Sequence, residues 1–359
     1  MIYLDANATE PLRPAAHAAV IAAFEVTGNP SSVHAAGRAA RRLLEGFREL
    51  LAARFGGRPA DLVFTSGGTE ADALAVHGLG QGRRLIVGAT EHDAVRAAAV
   101  GAAVLPVDAD GVTDLEVLAQ LLKGGPALVC LMLANNETGT LLPVVEAAAL
   151  CRAAGALLHV DAVQAAGRIG VDFAALGADS LALSSHKLGG PAGAGALLLS
   201  PAAAAQMRPL IAGGGQERGR RGGTPPVAAI AGFAAAATAE ASTLAPLRDA
   251  AESAAAAAGA VVVAAAAPRL PNTTCLALPG VRAETQVIAL DLAGIAVSAG
   301  AACSSGKVAR SHVLEAMGLG QLAGEAIRVS LPWNATEADV QAFSSAYQSM
   351  AARLVRRAA

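Results

Sequence analysis

Ala156-Leu-Leu-His-Val-Asp-Ala-Val-Gln164 is an apolar run that ends on a carboxylate and a polar turn. The same design recurs upstream of it. Leu62-Val-Phe64 runs into Thr65-Ser-Gly-Gly-Thr69, Leu85-Ile-Val87 into Thr90-Glu-His-Asp93, and residues 127–133 into Ala134-Asn-Asn-Glu-Thr-Gly139, with helical segments between. Short apolar strands alternating with helices build parallel βαβ units. The expectation is an α/β chain with a mainly parallel sheet, whose ligands sit off the carboxyl ends of the strands. Every polar cluster just named falls at such an end.

Downstream, a further hydrophobic strand leads into Ala182-Leu-Ser-Ser-His-Lys-Leu-Gly-Gly-Pro191, and Gly195-Ala-Leu-Leu-Leu199 reads as another strand. Residues 213–224 read as a loop, and residues 228–258 as one alanine-rich helical stretch leading to a smaller domain. Candidate strands there are Val261–Val263, Thr274–Leu278 and Ile295-Ala-Val297. The N-terminus reads as an extended arm, Ile2-Tyr-Leu4 followed by Asp5-Ala-Asn-Ala-Thr9, with a helix starting at the prolines 11 and 14. The domains expected are a large one over residues 15–250 and a small one assembled from 1–14 and 251–359.

Composition narrows the function classes. A chain of 359 residues with a net charge of −2 and no block of like charges has nothing to draw it to nucleic acid or anionic lipid. Asp5 comes too early for a signal peptide, and no apolar run suits a bilayer, so the cytoplasm is the expected compartment. The four cysteines, at 130, 151, 275 and 303, show neither a C-x-x-C pair nor metal-ligand spacing. No metal site is expected.

Lys187 is one of only three lysines, in a chain that otherwise carries positive charge on arginine. A guanidinium cannot lose its proton or form an imine, so a lysine kept against that bias suits a Schiff base. Lys123, at a helix end, and Lys307, in a polar loop, read as exposed charges. Ser66-Gly67-Gly68-Thr69 places backbone N–H groups at a helix N-terminus, which suits a phosphate, although a plain glycine turn with a threonine cap looks the same. Asp161 is a carboxylate in the binding crevice, able to keep a pyridinium nitrogen protonated or simply to cap a helix. Ser184 and His186 offer phosphate donors, and His92 an imidazole that can stack on a ring or carry protons; His34 stays open, and His17, His77, His159 and His312 read as structural. Cys130, Cys151 and Cys275 sit in apolar runs and read as buried and inert, whereas Cys303 lies in a small, polar loop beside Lys307, as a sulfur nucleophile requires. Arg328, inside the apolar run Ala326-Ile-Arg-Val-Ser-Leu331, needs a carboxylate, either a substrate's or an internal one.

Together these clusters resemble the cysteine desulfurases (NifS/IscS-like), in the class V aminotransferase group of fold-type I pyridoxal-phosphate enzymes. The resemblance rests on Tyr3-Leu-Asp-Ala-Asn-Ala-Thr9, Gly28-Asn-Pro-Ser-Ser32, Ser66-Gly-Gly-Thr-Glu70, Asn135-Asn-Glu-Thr-Gly139, His159-Val-Asp-Ala-Val-Gln164, Ser185-His-Lys187, Cys303-Ser-Ser-Gly306 and Ile327-Arg-Val-Ser-Leu331, in order along nearly the whole chain. It implies an α/β large domain around a mainly parallel seven-stranded sheet, with a smaller α/β C-terminal domain carrying Cys303. It implies pyridoxal 5'-phosphate held by Lys187 as an imine, His92 stacked on its ring, Asp161 on the pyridine nitrogen and Gln164 on the ring hydroxyl. Gly68, Thr69, Ser184 and His186 would bind the phosphate, joined by Thr224 from the second subunit of a homodimer. Asn136 and Arg328 would grip the substrate carboxylate.

The reaction implied converts L-cysteine to L-alanine and leaves the sulfur on Cys303 as a persulfide, for an acceptor protein in iron–sulfur assembly or thiolation. A class V aminotransferase and a selenocysteine lyase share the lysine and aspartate; a non-turnover sulfur-relay or regulatory protein is the reading from another class. The chain departs from the pattern at Ala192, at Gly219-Arg-Arg-Gly-Gly-Thr224 and at Pro332-Trp333, where a glycine-led pair is usual. It ends at Ala359 without the longer tail that relatives docking an iron–sulfur scaffold use.

Overall fold

A computed structural model describes residues 1–241, 243–300 and 310–358. The strands are β1 (Ile2–Tyr3), β2 (Leu62–Thr65), β3 (Arg84–Gly88), β4 (Ala103–Leu105), β5 (Ala127–Met132), β6 (Leu157–Asp161), β7 (Ser180–Ser184), β8 (Gly195–Leu199), β9 (Val261–Val263), β10 (Thr273–Ala277), β11 (Ile295–Ala296), β12 (Ser298–Ala299) and β13 (Ala326–Ser330); the apolar runs form strands as expected, and β12 falls where a loop was expected. Seven of them make one sheet in the order β2-β8-β7-β6-β5-β3-β4. β3 to β7 pair in parallel, β8 runs antiparallel to β7, and β2 runs antiparallel to β8. β2 therefore points the same way as β7, and six strands end on one edge. Helices cover both faces, which is why β5, β7 and β8 are buried from end to end and why β5 and β8 read as unbroken apolar runs.

Register sets the depth of each strand end. Met132 pairs with Asp161, Asp161 with Ala182, and Gly195 stands between Thr65 and Ser184. A Cβ at Gly195 would lie 2.6 Å from the backbone carbon of Gly67. Glycine is thus required there, because the Ser66-Gly67 turn folds directly over it.

The second sheet is antiparallel, in the order β12-β13-β10-β9, and β1 pairs in parallel with β11. Its own cluster of buried residues includes Leu4, Leu276, Leu290, Ile327, Phe343 and Tyr347. From β1 the chain crosses back to the large sheet: the Ala6 N–H donates to Ser330 O at 3.0 Å, and the Glu10 N–H to His186 O at 2.9 Å.

One helical expectation needs correction. Residues 228–258 are not one helix but two, Val227–Ala237 and Ala245–Ala257. Pro246 lies in the first turn of the second helix, where its missing N–H costs nothing; deeper inside a helix it would remove a hydrogen bond and clash with the preceding turn. Leu244, Ala251 and Ala255 pack in the cluster of the antiparallel sheet, so that helix sides with the C-terminal strands. No helix among the described residues is long and apolar enough to cross a membrane.

Candidate active site

A cavity of about 230 Å³ opens at the carboxyl edge of the large sheet. Each wall comes from a different strand end. Gly68 and Thr69 begin the helix that follows β2, His92 follows β3, Asn136 follows β5, Asp161 closes β6 with Gln164 just beyond, and Ser184, His186 and Lys187 close β7. Residues spread over 119 positions of sequence thus meet because six parallel strands end at one level.

The helix Gly68–Leu79 directs its N-terminal N–H groups toward this edge, a favourable place for an anion. Its start is braced: Glu70 accepts hydrogen bonds from Ser66 N at 2.8 Å and Ser66 Oγ at 2.5 Å, and pairs with Arg221 at 2.7 Å. The second arginine of Gly219-Arg-Arg-Gly-Gly-Thr224 is accordingly a tie between that loop and the helix start. Thr224 itself is exposed and does not line the cavity.

At the other end the cavity is acidic. Asp161 Oδ1 accepts the Val163 N–H at 2.8 Å, and burial, followed by repulsion from Asp72, raises its pKa to about 7. Asp72, on the helix Gly68–Leu79, also lines the cavity, and its own pKa is raised to about 7 by burial. His159 Nε2 lies 3.1 Å from Asp72 Oδ1, and Nδ1 lies 2.9 Å from Ser180 Oγ. Burial lowers the His159 pKa to about 4, so at neutral pH this contact is a hydrogen bond to an uncharged ring and not an ion pair. Glu91 is fully buried, accepts the Met132 N–H at 2.6 Å, and is pushed well above the usual carboxylate range by burial and by Asp161.

Lys187 sits in the single turn Ser185–Lys187 after β7, where its Nζ donates to Asn7 O at 2.5 Å and Ala8 O at 3.0 Å. His186 meets Thr9 Oγ1 through Nδ1 at 2.9 Å, and burial, then the Lys187 and Arg168 charges, lower its pKa to about 4. Gln164 Nε2 donates to Asn7 O at 3.0 Å. His92 caps the helix Asp93–Ala98 by accepting the Ala94 N–H at 3.1 Å, and its ring also faces the cavity. The N-terminal arm thus supplies main-chain carbonyls to two cavity-lining side chains, Lys187 and Gln164.

The two asparagines after β5 divide their work. Asn135 turns inward, donating to Thr90 O and accepting from the N–H groups of Glu137 and Thr138, whereas Asn136 lines the cavity. Arg328 is buried on β13; its Nη2 pairs with Asp5 Oδ1 at 2.7 Å and its Nη1 donates to Asn136 O at 3.0 Å. The internal carboxylate that the sequence left open is therefore Asp5, and the same guanidinium holds the Asn136 backbone. His34 turns out to cap the helix Ala35–Arg54 through Nδ1. Cys130, Cys151 and Cys275 are buried thiols, with burial raising each pKa. Cys303 and Lys307 lie outside the described residues.

Sequence reasoning missed Asp72 and the arm carbonyls of Asn7 and Ala8. Asp72 had a signal, a carboxylate on a helix face with Ala71, Leu74 and Ala75, all buried. The carbonyls had none, because every residue type supplies one.

Comparison with known proteins gives a consistent result. The chain matches the family described as Aminotransferase class-V over residues 2–343. It is 39% identical over 386 residues to an IscS-like cysteine desulfurase of Mycobacterium tuberculosis, covering 100% of this chain and 98% of that protein. It is 42% identical over 358 residues to a cysteine desulfurase of Cereibacter sphaeroides, covering 94% of this chain and 92% of the relative. The crystal structure of a NifS-like protein from Rickettsia africae superposes with a TM-score of 0.90 at 34% identity, covering 98% of this chain and 99% of that one. With its strand-end cavity, its seven-stranded sheet and this likeness over nearly its full length, the chain belongs to the class-V aminotransferase family, among the NifS/IscS-like cysteine desulfurases.

Proposed function

We propose that this protein is a pyridoxal-phosphate-dependent cysteine desulfurase that converts L-cysteine to L-alanine and leaves the sulfur on Cys303. One arrangement carries the reading: an amine, a helix N-terminus and a buried carboxylate face a single cavity, at Lys187, Gly68-Thr69 and Asp161. That set matches a cofactor with an aldehyde, a phosphate and a basic ring nitrogen. Two further atoms support the fit. Ser184 Oγ and Gln164 Oε1 are buried, belong to cavity-lining residues and have no hydrogen-bond partner among the described atoms, a costly state that ligand groups would relieve.

When bound, the cofactor ring supplies a sink for the electron pair left at the substrate Cα. Lys187 would hold the cofactor by its aldehyde and, as a free amine, would take the α-proton and return a proton to carbon. Asp161 holds the ring-nitrogen proton, with Asp72 and His159 packed behind it. Thr69, Ser184, His186 and the Gly68 backbone would hold the phosphate, and Gln164 Oε1 would accept from the ring hydroxyl. His92, which lines the cavity, would stack on the ring and manage the thiol proton. Asn136 would orient the α-carboxylate, joined by Arg328 once its guanidinium exchanges Asp5 for the substrate. The Cys303 thiolate attacks the substrate sulfur, so that the S–S bond forms as the Cβ–S bond breaks. The electron pair of that bond stays on Cβ, which is protonated, and the sulfur leaves as an enzyme persulfide.

We further infer a homodimer, supported by Thr224 lying outside its own chain's cavity and by Phe24 and Val33, which are 71% and 88% exposed.

The test is to incubate the protein with L-cysteine, with and without reductant, and quantify alanine, pyruvate and sulfide for wild type and Cys303→Ala. Alanine and persulfide in equal amounts are expected, with sulfide release lost in Cys303→Ala. Pyruvate with an aminated cofactor would mean transamination, and a spectral change without alanine would mean a binding protein.

A further inference from the structure

Pro332-Trp333 departs from the family pattern, and the described structure gives Trp333 a specific set of partners. Its backbone N–H donates to Glu10 Oε1 at 2.5 Å, its indole Nε1–H donates to Pro11 O at 2.9 Å, and the Arg13 guanidinium lies 4.9 Å from the ring centroid. All three partners belong to the N-terminal arm. The arm residues in turn bracket Lys187. Glu10 N–H donates to His186 O at 2.9 Å, Arg13 Nε to Leu188 O at 2.9 Å, and Arg13 N–H to Gly189 O at 2.8 Å.

The acceptors for Lys187 Nζ are the main-chain carbonyls of Asn7 and Ala8. Their position follows from where the arm backbone lies and not from the side chains at 7 and 8. Trp333 and Lys187 also line the same small cavity, about 20 Å³, with Glu10, Arg13 and Arg168. That volume has room for about one water molecule, so the arm has little slack in which to shift.

We propose that Trp333 is a positioning residue for Lys187: through its side-chain contacts with Pro11 and Arg13, and its backbone N–H to Glu10, it fixes the arm whose carbonyls hold the lysine amine at the active-site cavity. This rests on the desulfurase reading, in which Lys187 moves the α-proton.

The experiment follows exchange of the Cα hydrogen of L-alanine in D₂O by proton NMR, on pyridoxal-phosphate-loaded protein. It reads the lysine proton transfer without requiring Cys303. Trp333→Ala should slow exchange about tenfold at saturating alanine, the size expected when one hydrogen bond and a cation–π contact are lost, with cofactor content kept and the melting temperature within a few degrees of wild type. Trp333→Phe keeps a ring for Arg13 but loses the Nε1–H, and should recover about a third of the wild-type rate. Wild-type exchange in Trp333→Ala, or slowing that merely tracks cofactor loss or a lowered melting temperature, would overturn the proposal. If Trp333→Ala does not fold, Trp333→Phe decides, and an unchanged rate there also overturns it. A wild-type protein that neither exchanges alanine nor is trapped by borohydride at Lys187 would instead sink the desulfurase reading itself.

Discussion

Two regions hold the active-site groups and are built on opposite principles. The strand-end rim presents side chains, Thr69, His92, Asp161 and Ser184 among them, each held at its depth by sheet register. The N-terminal arm presents backbone: the carbonyls of Asn7 and Ala8 take the Lys187 amine, and Asn7 O also takes Gln164 Nε2. The rim is positioned by neighbours within its own sheet. The arm is positioned by residues more than 300 positions away, Ser330 and Trp333. Rim functions should therefore fail one side chain at a time, whereas the arm should tolerate side-chain loss as long as its backbone stays pinned.

Lys187→Ala tests the rim most severely. Loss of the amine should lower alanine formation from L-cysteine by about a thousandfold or more and abolish borohydride trapping of the cofactor. Trapping on Lys123 or Lys307 would break the assignment. Asp161→Asn should come next, with about a hundredfold loss of alanine formation and weaker cofactor retention, because an amide cannot hold a pyridinium proton electrostatically. Activity within a few-fold of wild type would reduce Asp161 to an acceptor for the Val163 N–H in the turn after β6.

Asn7→Ala probes the arm. The Asn7 side chain is buried, donating to Asn136 O at 3.1 Å and Thr273 Oγ1 at 3.0 Å. Its removal should cost about 2 kcal/mol in urea denaturation, while the carbonyl to Lys187 persists and borohydride trapping continues. Loss of trapping in a folded Asn7→Ala protein would show that the arm works through its side chain after all.

The smallest effect is on pH dependence. Burial raises Asp72 from 3.8 to about 7, so between those values the folded protein holds a proton that the unfolded chain releases. The native state then binds more protons, and this group makes stability fall as pH rises through the window. His159, lowered to about 4, acts in the opposite sense between about 4 and 6.5 and offsets part of the slope. Asp72→Asn removes the first contribution, so its melting temperature relative to wild type should rise as pH goes from 4 to 7. A constant difference across that range would mean that Asp72 is ionised in the fold.

The rim was legible in the sequence because a parallel sheet converts pattern into position. A short apolar run predicts a strand, the next polar residues must lie at its carboxyl end, and six strands pointing one way collect those ends. Ser66-Gly-Gly-Thr69, Asp161 and Lys187 could thus be read together before any coordinate. Asp72 was missed because it lies inside a helix, on a face set by packing against β6. The single helix expected over 228–258 failed on Pro246, a signal that was present and was outweighed by alanine content.

The sequence by itself determined the strand order of events: which segments are strands, which carboxylate and which amine stand at their ends, and the likeness to cysteine desulfurases that those motifs carry. Only the tertiary structure decided how the amine is held, that Arg328 answers to Asp5, that His159 leans on Asp72, and that Trp333 grips the arm beside Lys187. The reason is physical. Strand ends are fixed by local pattern and a repeating ladder, whereas the contacts of the arm join backbone atoms to residues remote in sequence, and backbone carbonyls carry no residue signature by which to find them.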